Sequence, residues 1–199
     1  MKILKTWGEA SDKQLDEVCD LLKQGEIVIV PTDTLYAVAA NALDPKAVDK
    51  VCRIKGIKSD KNTLSILCDG IAMASEYSRY DNSSFRLLKD NTPGPFTFIF
   101  KSAPTLPKAF KERKTVGVRI PDNKVCRQII ERLGSPLMGT SIKVESDDYM
   151  INPELIAETY EGRAALLVED GDGGLEPGTI VDCTGRDPEI IREAKGTLD

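Results

Sequence analysis

The sequence predicts an α/β fold in a single domain, residues 1–199, and three observations carry that expectation. The first is Gly25 to Ala40, GEIVIVPTDTLYAVAA, in which Ile27, Val28, Ile29 and Val30 form the continuous β-branched run of a strand buried on both faces. Pro31 ends it. Without an N–H for a sheet ladder it turns the chain away just where Thr32, Asp33, Thr34 and Tyr36 supply three hydroxyls and a carboxylate. The second is the alternation of such strands with capped, amphipathic helices. The third is size: 199 residues, 41% hydrophobic and 30% charged, suffice for one substantial core, and no apolar run approaches the ~20 residues of a bilayer span.

Ser11 caps a first helix whose Leu15, Val18, Leu21 and Leu22 share a face, and Gly25 stops it. The strand through Val30 then enters its polar corner. That corner reads either as a turn capped by its own Thr and Asp side chains or as a ligand corner at the carboxyl end of a strand. Asp44 and Pro45 open a second helix, with Val48, Val51 and Cys52 on one side and Arg53 and Lys55 at its end. Lys58 and Lys61 follow in a polar loop, and Leu64 to Cys68 is the next strand. Residues 69–89 read as two short helices, the second capped by Asp81 or Asn82.

Pro93, Gly94 and Pro95 then make a turn into the β-forming run Phe96 to Phe100. The basic connection 101–114, KSAPTLPKAFKERK, reads as a flexible lid or a loop over a basic face. Lys114 to Ile120 is a strand with Arg119 at its carboxyl end, and a helix capped by Asp122 or Asn123 runs from there to Gly134. Pro136 to Ser141 is a second strand ending in small hydroxyl residues. Asn152 and Pro153 begin an acidic helix, and strands at Ala164 to Val168 and Thr179 to Asp182 flank the turn EDGDGGLEPG. That loop lacks the spacing and terminal Glu of a calcium-binding hand.

Composition narrows the chemistry. Histidine is absent, which removes Ser-His-Asp and Cys-His catalysis and every His-containing metal site. Cys19, Cys52, Cys68, Cys126 and Cys183 are scattered without a CxxC pair, so reduced, mostly buried thiols and no metal site are expected. MKILKTWGEA does not resemble a signal peptide, which points to a cytoplasmic protein. The net charge of −5 hides an uneven distribution: residues 50–143 carry 18 basic and 8 acidic side chains, whereas residues 144–199 carry 4 and 15. Either the middle holds a local site for a nucleotide or RNA, or the two blocks neutralise each other across the fold.

Three segments in order make the chain recognisable. PTDTLYAVAANALD at 31–44, KTVGVRIPD at 114–122 and PLMGTSI at 136–142 resemble the signature segments of the YrdC domain, found in enzymes that make threonylcarbamoyl-adenylate for tRNA modification. The likeness runs from about residue 12 to 185, and RIKGIKSDKNTLSILC and NTPGPFTFIF are most similar to the YciO branch. The resemblance implies a twisted, open, mixed sheet flanked by helices, with a basic concave face. It implies ATP, L-threonine and bicarbonate as substrates, magnesium being carried by the nucleotide.

By position, Lys55 is the implied catalytic residue and phosphate contact, with Lys58, Thr115 and Ser141 also on the nucleotide, while Thr34 and Arg119 hold threonine. Arg53, Lys61 and Lys143 are further candidates for phosphate or RNA contacts. The chain departs from the family's Lys-x-Arg at Ile57 and from its Ser-x-Asn at Lys143, and Ala37 stands where Gly is usual. A displaced Lys lacks the bidentate fork of Arg, so rate suffers more than phosphate affinity. The function implied is a nucleotide-binding protein of threonylcarbamoyladenosine biosynthesis with synthase activity weakened or lost. The alternative is a non-catalytic module for double-stranded RNA or tRNA, read through phosphates and shape. A bland third reading is a remnant fold whose basic block pairs with its acidic end.

Overall fold

The computed structural model describes residues 1–56, 64–110, 113–143 and 146–199. The chain opens with β1 (Lys2–Lys5), an edge strand too short to be legible from pattern. Next comes α1 (Asp12–Lys23), where Ser11 and Gln14 form a reciprocal capping box. β2 (Val28–Val30) runs into the polar corner, and the chain returns at once as β3 (Ala37–Asn41). The helix α2 (Pro45–Lys55) has Asp44 as cap and Gly56 at φ +69° as its left-handed stop. Then follow β4 (Ser65–Leu67), α3 (Ile71–Tyr77), β5 (Ser78–Arg79) and α4 (Asn82–Asp90), the last capped by Asp81. β6 (Phe96–Ser102), β7 (Thr115–Arg119), α5 (Lys124–Leu133, capped by Asn123) and β8 (Leu137–Ser141) complete the middle. The final part holds α6 (Asp147–Ile151), α7 (Pro153–Thr159), β9 (Leu166–Glu169), β10 (Thr179–Asp182) and β11 (Glu189–Arg192).

The strands form one mixed sheet in the order β1-β9-β2-β3-β8-β4-β7-β6-β10-β11, with β5 paired to β6. Period-two alternation sends successive side chains to opposite faces. One face carries Ile29, Val38, Ile66, Phe98, Phe100, Val116, Val118 and Met138 beneath residues of α2, α3, α4 and α7. The other carries Val28, Val30, Ala37, Ala39, Leu137 and Leu166 beneath α1 and α5. That second cover ends at Leu67. Beyond it Ser65, Thr97, Gly117, Arg119 and Ile180 alternate with core residues of β4, β6, β7 and β10, so the sheet offers small and polar groups on this side. The result is the open mixed sheet flanked by helices that the sequence implies.

Two expectations change. The connection 101–114 is not a loose lid in its described part, because Lys108–Phe110 forms a 3-10 turn that buries Ala109 and Phe110 in the core. Ala37 does not need glycine's freedom either: it lies in β3, and Trp7 is the non-glycine residue with positive φ among those described. None of the five cysteines forms a disulfide, and all five are buried. Among the described residues no helix is long and apolar enough to cross a membrane.

Candidate functional site

Arg119 ends β7 against the corner between β2 and β3. Its Nη2 donates to Thr34 Oγ1 at 2.7 Å, Asp33 Oδ1 at 2.7 Å and Thr32 Oγ1 at 3.1 Å. The Thr32 hydroxyl donates in turn to the Leu35 carbonyl at 2.6 Å and accepts the Thr34 N–H at 3.1 Å. The corner is thus capped by its own hydroxyls and also locked to a strand distant in sequence. Arg119 is 7% exposed and Thr34 1%. Even so, Asp33 Oδ2 and Arg119 Nε are buried with no partner. Buried polar groups are nearly always satisfied, so this acceptor and this donor are each open to a further partner, a water or a ligand.

The acidic loop after β9 buttresses the corner from behind. The Tyr36 hydroxyl donates to the Gly171 carbonyl at 2.6 Å and accepts the Asp170 N–H at 3.1 Å, and burial pushes its pKa up to about 12. Gly174 N–H donates to the Thr34 carbonyl at 2.8 Å, and Lys195 Nζ to the Asp33 carbonyl at 2.5 Å. A Cβ on Gly174 would stand 2.5 Å from the Thr34 oxygen, so only glycine allows this approach. Gly174→Val is expected to displace the corner and lower stability by about 1–3 kcal/mol, as overpacking does. Urea unfolding together with threonine binding measures both effects.

From the corner a cleft of about 240 Å³ runs across the sheet, lined by Ala37, Lys55, Ser65, Leu67, Thr97, Arg119, Gly139, Thr140, Ser141, Gly178, Ile180 and Arg192. Two glycines keep its floor low: a Cβ on Gly117 would come within 2.4 Å of Ser65 Oγ, and one on Gly139 within 2.7 Å of Leu67 Cδ1. Lys55 reaches in from the end of α2, its Nζ donating to the Ser141 carbonyl at 2.5 Å. Arg192 enters from β11, with Nη2 and Nε at 2.7 and 3.2 Å from the Gly178 carbonyl. Burial, then the nearby charges of Lys143 and Arg192, push the Lys55 amine below its ordinary value. Lys55, Arg119 and Arg192 thus stand around small groups, Arg119 already paired with Asp33, and these are the cations that the cleft itself offers.

The structure brings Lys55, Arg119 and Ser141 to one cleft, with Thr34 directly behind Arg119. Thr115 shares Arg119's face of β7 but lies at the other end of that strand, roughly 13 Å away at strand rise, and does not line the cleft. Lys143 stands exposed just past β8, close enough for its charge to act on Lys55. Arg53 is exposed and turns its Nε back to Asp49 of its own helix at 3.4 Å. Lys58 and Lys61, with the departure at Ile57, lie outside the described residues. Sequence reasoning missed Arg192 and the partnership of Asp33 with Arg119. The described ion pairs of the basic middle run mainly to the acidic start, at Arg119–Asp33, Lys124–Glu9 and Arg132–Asp16.

Comparison with known proteins identifies the family and the fold. The Sua5/YciO/YrdC family model, described as "Telomere recombination", matches residues 20–194. YciO of Escherichia coli is 32% identical over 92% of this chain and 90% of its own length. Its crystal structure superposes with a TM-score of 0.91, covering 99% of this chain and 98% of that one at 30% identity. The threonylcarbamoyl-AMP synthase of Bos taurus is 31% identical over 84% of this chain, which spans 59% of that protein. Sua5 of Pyrococcus abyssi, solved with L-threonine, has the same fold, with a TM-score of 0.87 at 23% identity over 98% of this chain and 58% of that one. The matched span, the identity to YciO and the superposition agree, and the chain belongs to the Sua5/YciO/YrdC family.

Proposed function

We propose that the chain binds L-threonine at the Arg119 corner and the phosphates of ATP between Lys55 and Arg192, and makes threonylcarbamoyl-AMP slowly. The observation that carries this reading is the pair of buried, unpartnered atoms Asp33 Oδ2 and Arg119 Nε. A free α-amino acid has one group for each: its ammonium donates to the carboxylate, and its carboxylate accepts from the guanidinium. The mammalian synthase relative supports the assignment of the reaction. The bound ammonium first loses one proton to solvent, and the neutral amine and bicarbonate then condense to a carbamate with loss of water. A carbamate oxygen then forms a bond to the α-phosphorus while the bond to pyrophosphate breaks.

The chain's task in that transfer is positioning and charge neutralisation, which needs no histidine. Lys55 and Arg192 would meet the charge that develops on the phosphates, Arg119 fixes the amino acid, and magnesium travels with the nucleotide. The cleft of about 240 Å³ has room for an amino acid and the reacting phosphate, leaving the nucleoside to extend beyond it. Lys143 in place of an amide adds a charge without a matching acceptor, and we read the rate as low for that reason. The product is a mixed anhydride, whose consumer is a transferase acting on tRNA. No observation favours the double-stranded RNA module over this reading.

The test is pyrophosphate release from ATP, L-threonine and bicarbonate at high protein concentration. Release that requires all three is expected. ATP hydrolysis without threonine, or no release, would refute the catalytic step.

A further inference from the structure

A second cavity lined by described residues lies outside the Arg119 cleft. It measures about 830 Å³ and is bounded by β5, the end of β6 and the segment leading into β7, with Arg79, Lys108 and Arg113 among its lining residues. It shares none of the cleft's residues, and Arg113 is roughly 20 Å along the chain from Arg119 at strand rise. A smaller space of about 260 Å³ adjoins it through Arg79 and adds Lys101 and Tyr80.

Two features set this place apart from an ordinary solvated face. Arg79 and Lys101 are directly opposed on the antiparallel β5–β6 pair, an arrangement of like charges that destabilises a sheet. Among the described residues, Arg79, Lys101 and Lys108 make no side-chain hydrogen bond or ion pair, in a protein whose net charge is −5. Between these cations the walls are apolar, formed by Pro104, Leu106 and Pro107. The Ser102 hydroxyl is already spent on the Arg113 carbonyl. The larger cavity therefore offers positive charge and apolar contact, while the adjoining space adds the Asp81 carboxylate and the Ser84 and Thr184 hydroxyls beside Lys101.

We propose that this cavity is a second anion site that takes a nucleotide unit, its phosphates on Arg79, Lys101 and Lys108 and its base against Pro104 and Leu106. A volume of about 830 Å³ lies in the range of small-molecule sites. Apolar contacts without hydrogen-bonding groups do not distinguish one base from another. The nucleotide unit is either free or the phosphorylated end of an RNA strand, since both present the same chemistry.

The experiment titrates ATP into the full-length protein, the Arg79→Glu/Lys108→Glu double variant and Lys55→Ala, followed calorimetrically at two salt concentrations. Both substituted residues of the double variant are exposed, so the fold is retained. Expected is an ATP-binding step that survives Lys55→Ala, weakens at least about tenfold in the double variant and weakens steeply with salt. A 5′-phosphorylated single-stranded oligoribonucleotide that displaces this ATP identifies RNA as the source, and one that does not leaves the free nucleotide. The proposal is overturned if no ATP binding survives Lys55→Ala, or if what survives is indifferent to the double charge reversal.

Discussion

Arg119→Ala is expected to destabilise the protein by about 3–5 kcal/mol, the usual consequence of removing one partner of a buried ion pair. The Arg119–Asp33 pair has a separation of 2.7 Å, with side chains 9% and 10% exposed. Truncation removes the cation that meets the Asp33 carboxylate at 2.7 Å and the donor that Thr34 Oγ1 meets at 2.7 Å. The coupling is tested by the cycle of Arg119→Ala, Asp33→Ala and the double variant in urea. The double variant should be more stable than the sum of the singles predicts, because the second truncation removes the charge that the first left stranded. Strict additivity would show that the pair is solvated and the corner open. Threonine-dependent pyrophosphate release should disappear in every member of the cycle.

Lys55→Ala should lower pyrophosphate release by about 10²-fold, the scale on which losing one oriented donor to a developing oxyanion acts. Threonine binding should persist, since Arg119 and Asp33 are untouched. The amine also gives a proton-linked signature. Its folded pKa lies below the ordinary value of a lysine, because burial and the charges of Lys143 and Arg192 disfavour the ammonium. Held protonated, it therefore opposes folding below its folded pKa, and that penalty fades as pH rises through the folded value toward the unfolded one. A polyphosphate beside the ammonium raises the pKa again, so ATP binding in this alkaline window takes up a proton. Binding heats measured in buffers of different ionisation enthalpy should diverge for the wild type and coincide for Lys55→Ala. Coincident wild-type heats would place the phosphates elsewhere.

Much of the fold was legible because its signals are local. The caps Ser11, Asp44, Asn123 and Asn152 each begin a helix, and Gly134 closes one at φ +73°. β3 was not legible, since AVAAN lacks the β-branched bulk that marks a strand; its small side chains suit a layer packed under α1 and α5. β11 is exposed along its whole length and has no burial pattern to read. The site divides in the same way. Arg119 and Ser141 could be placed at strand ends from sequence, whereas the bond from Arg119 to Asp33 spans 86 positions and is created by the sheet order alone. Arg192 is one of 4 basic residues in the acidic final segment, and only the β10–β11 pairing carries it to the cleft.

The central claim is that the Asp33–Arg119 corner holds both charged ends of an amino acid. Titrating L-threonine, N-acetyl-L-threonine and L-threonine methyl ester into the protein tests it, because each derivative removes one of the two groups that the corner can hold. Saturable binding of one equivalent of L-threonine, with both derivatives weakened at least about tenfold, is the predicted result. Equal binding of either derivative, or no saturable binding of L-threonine, would contradict it.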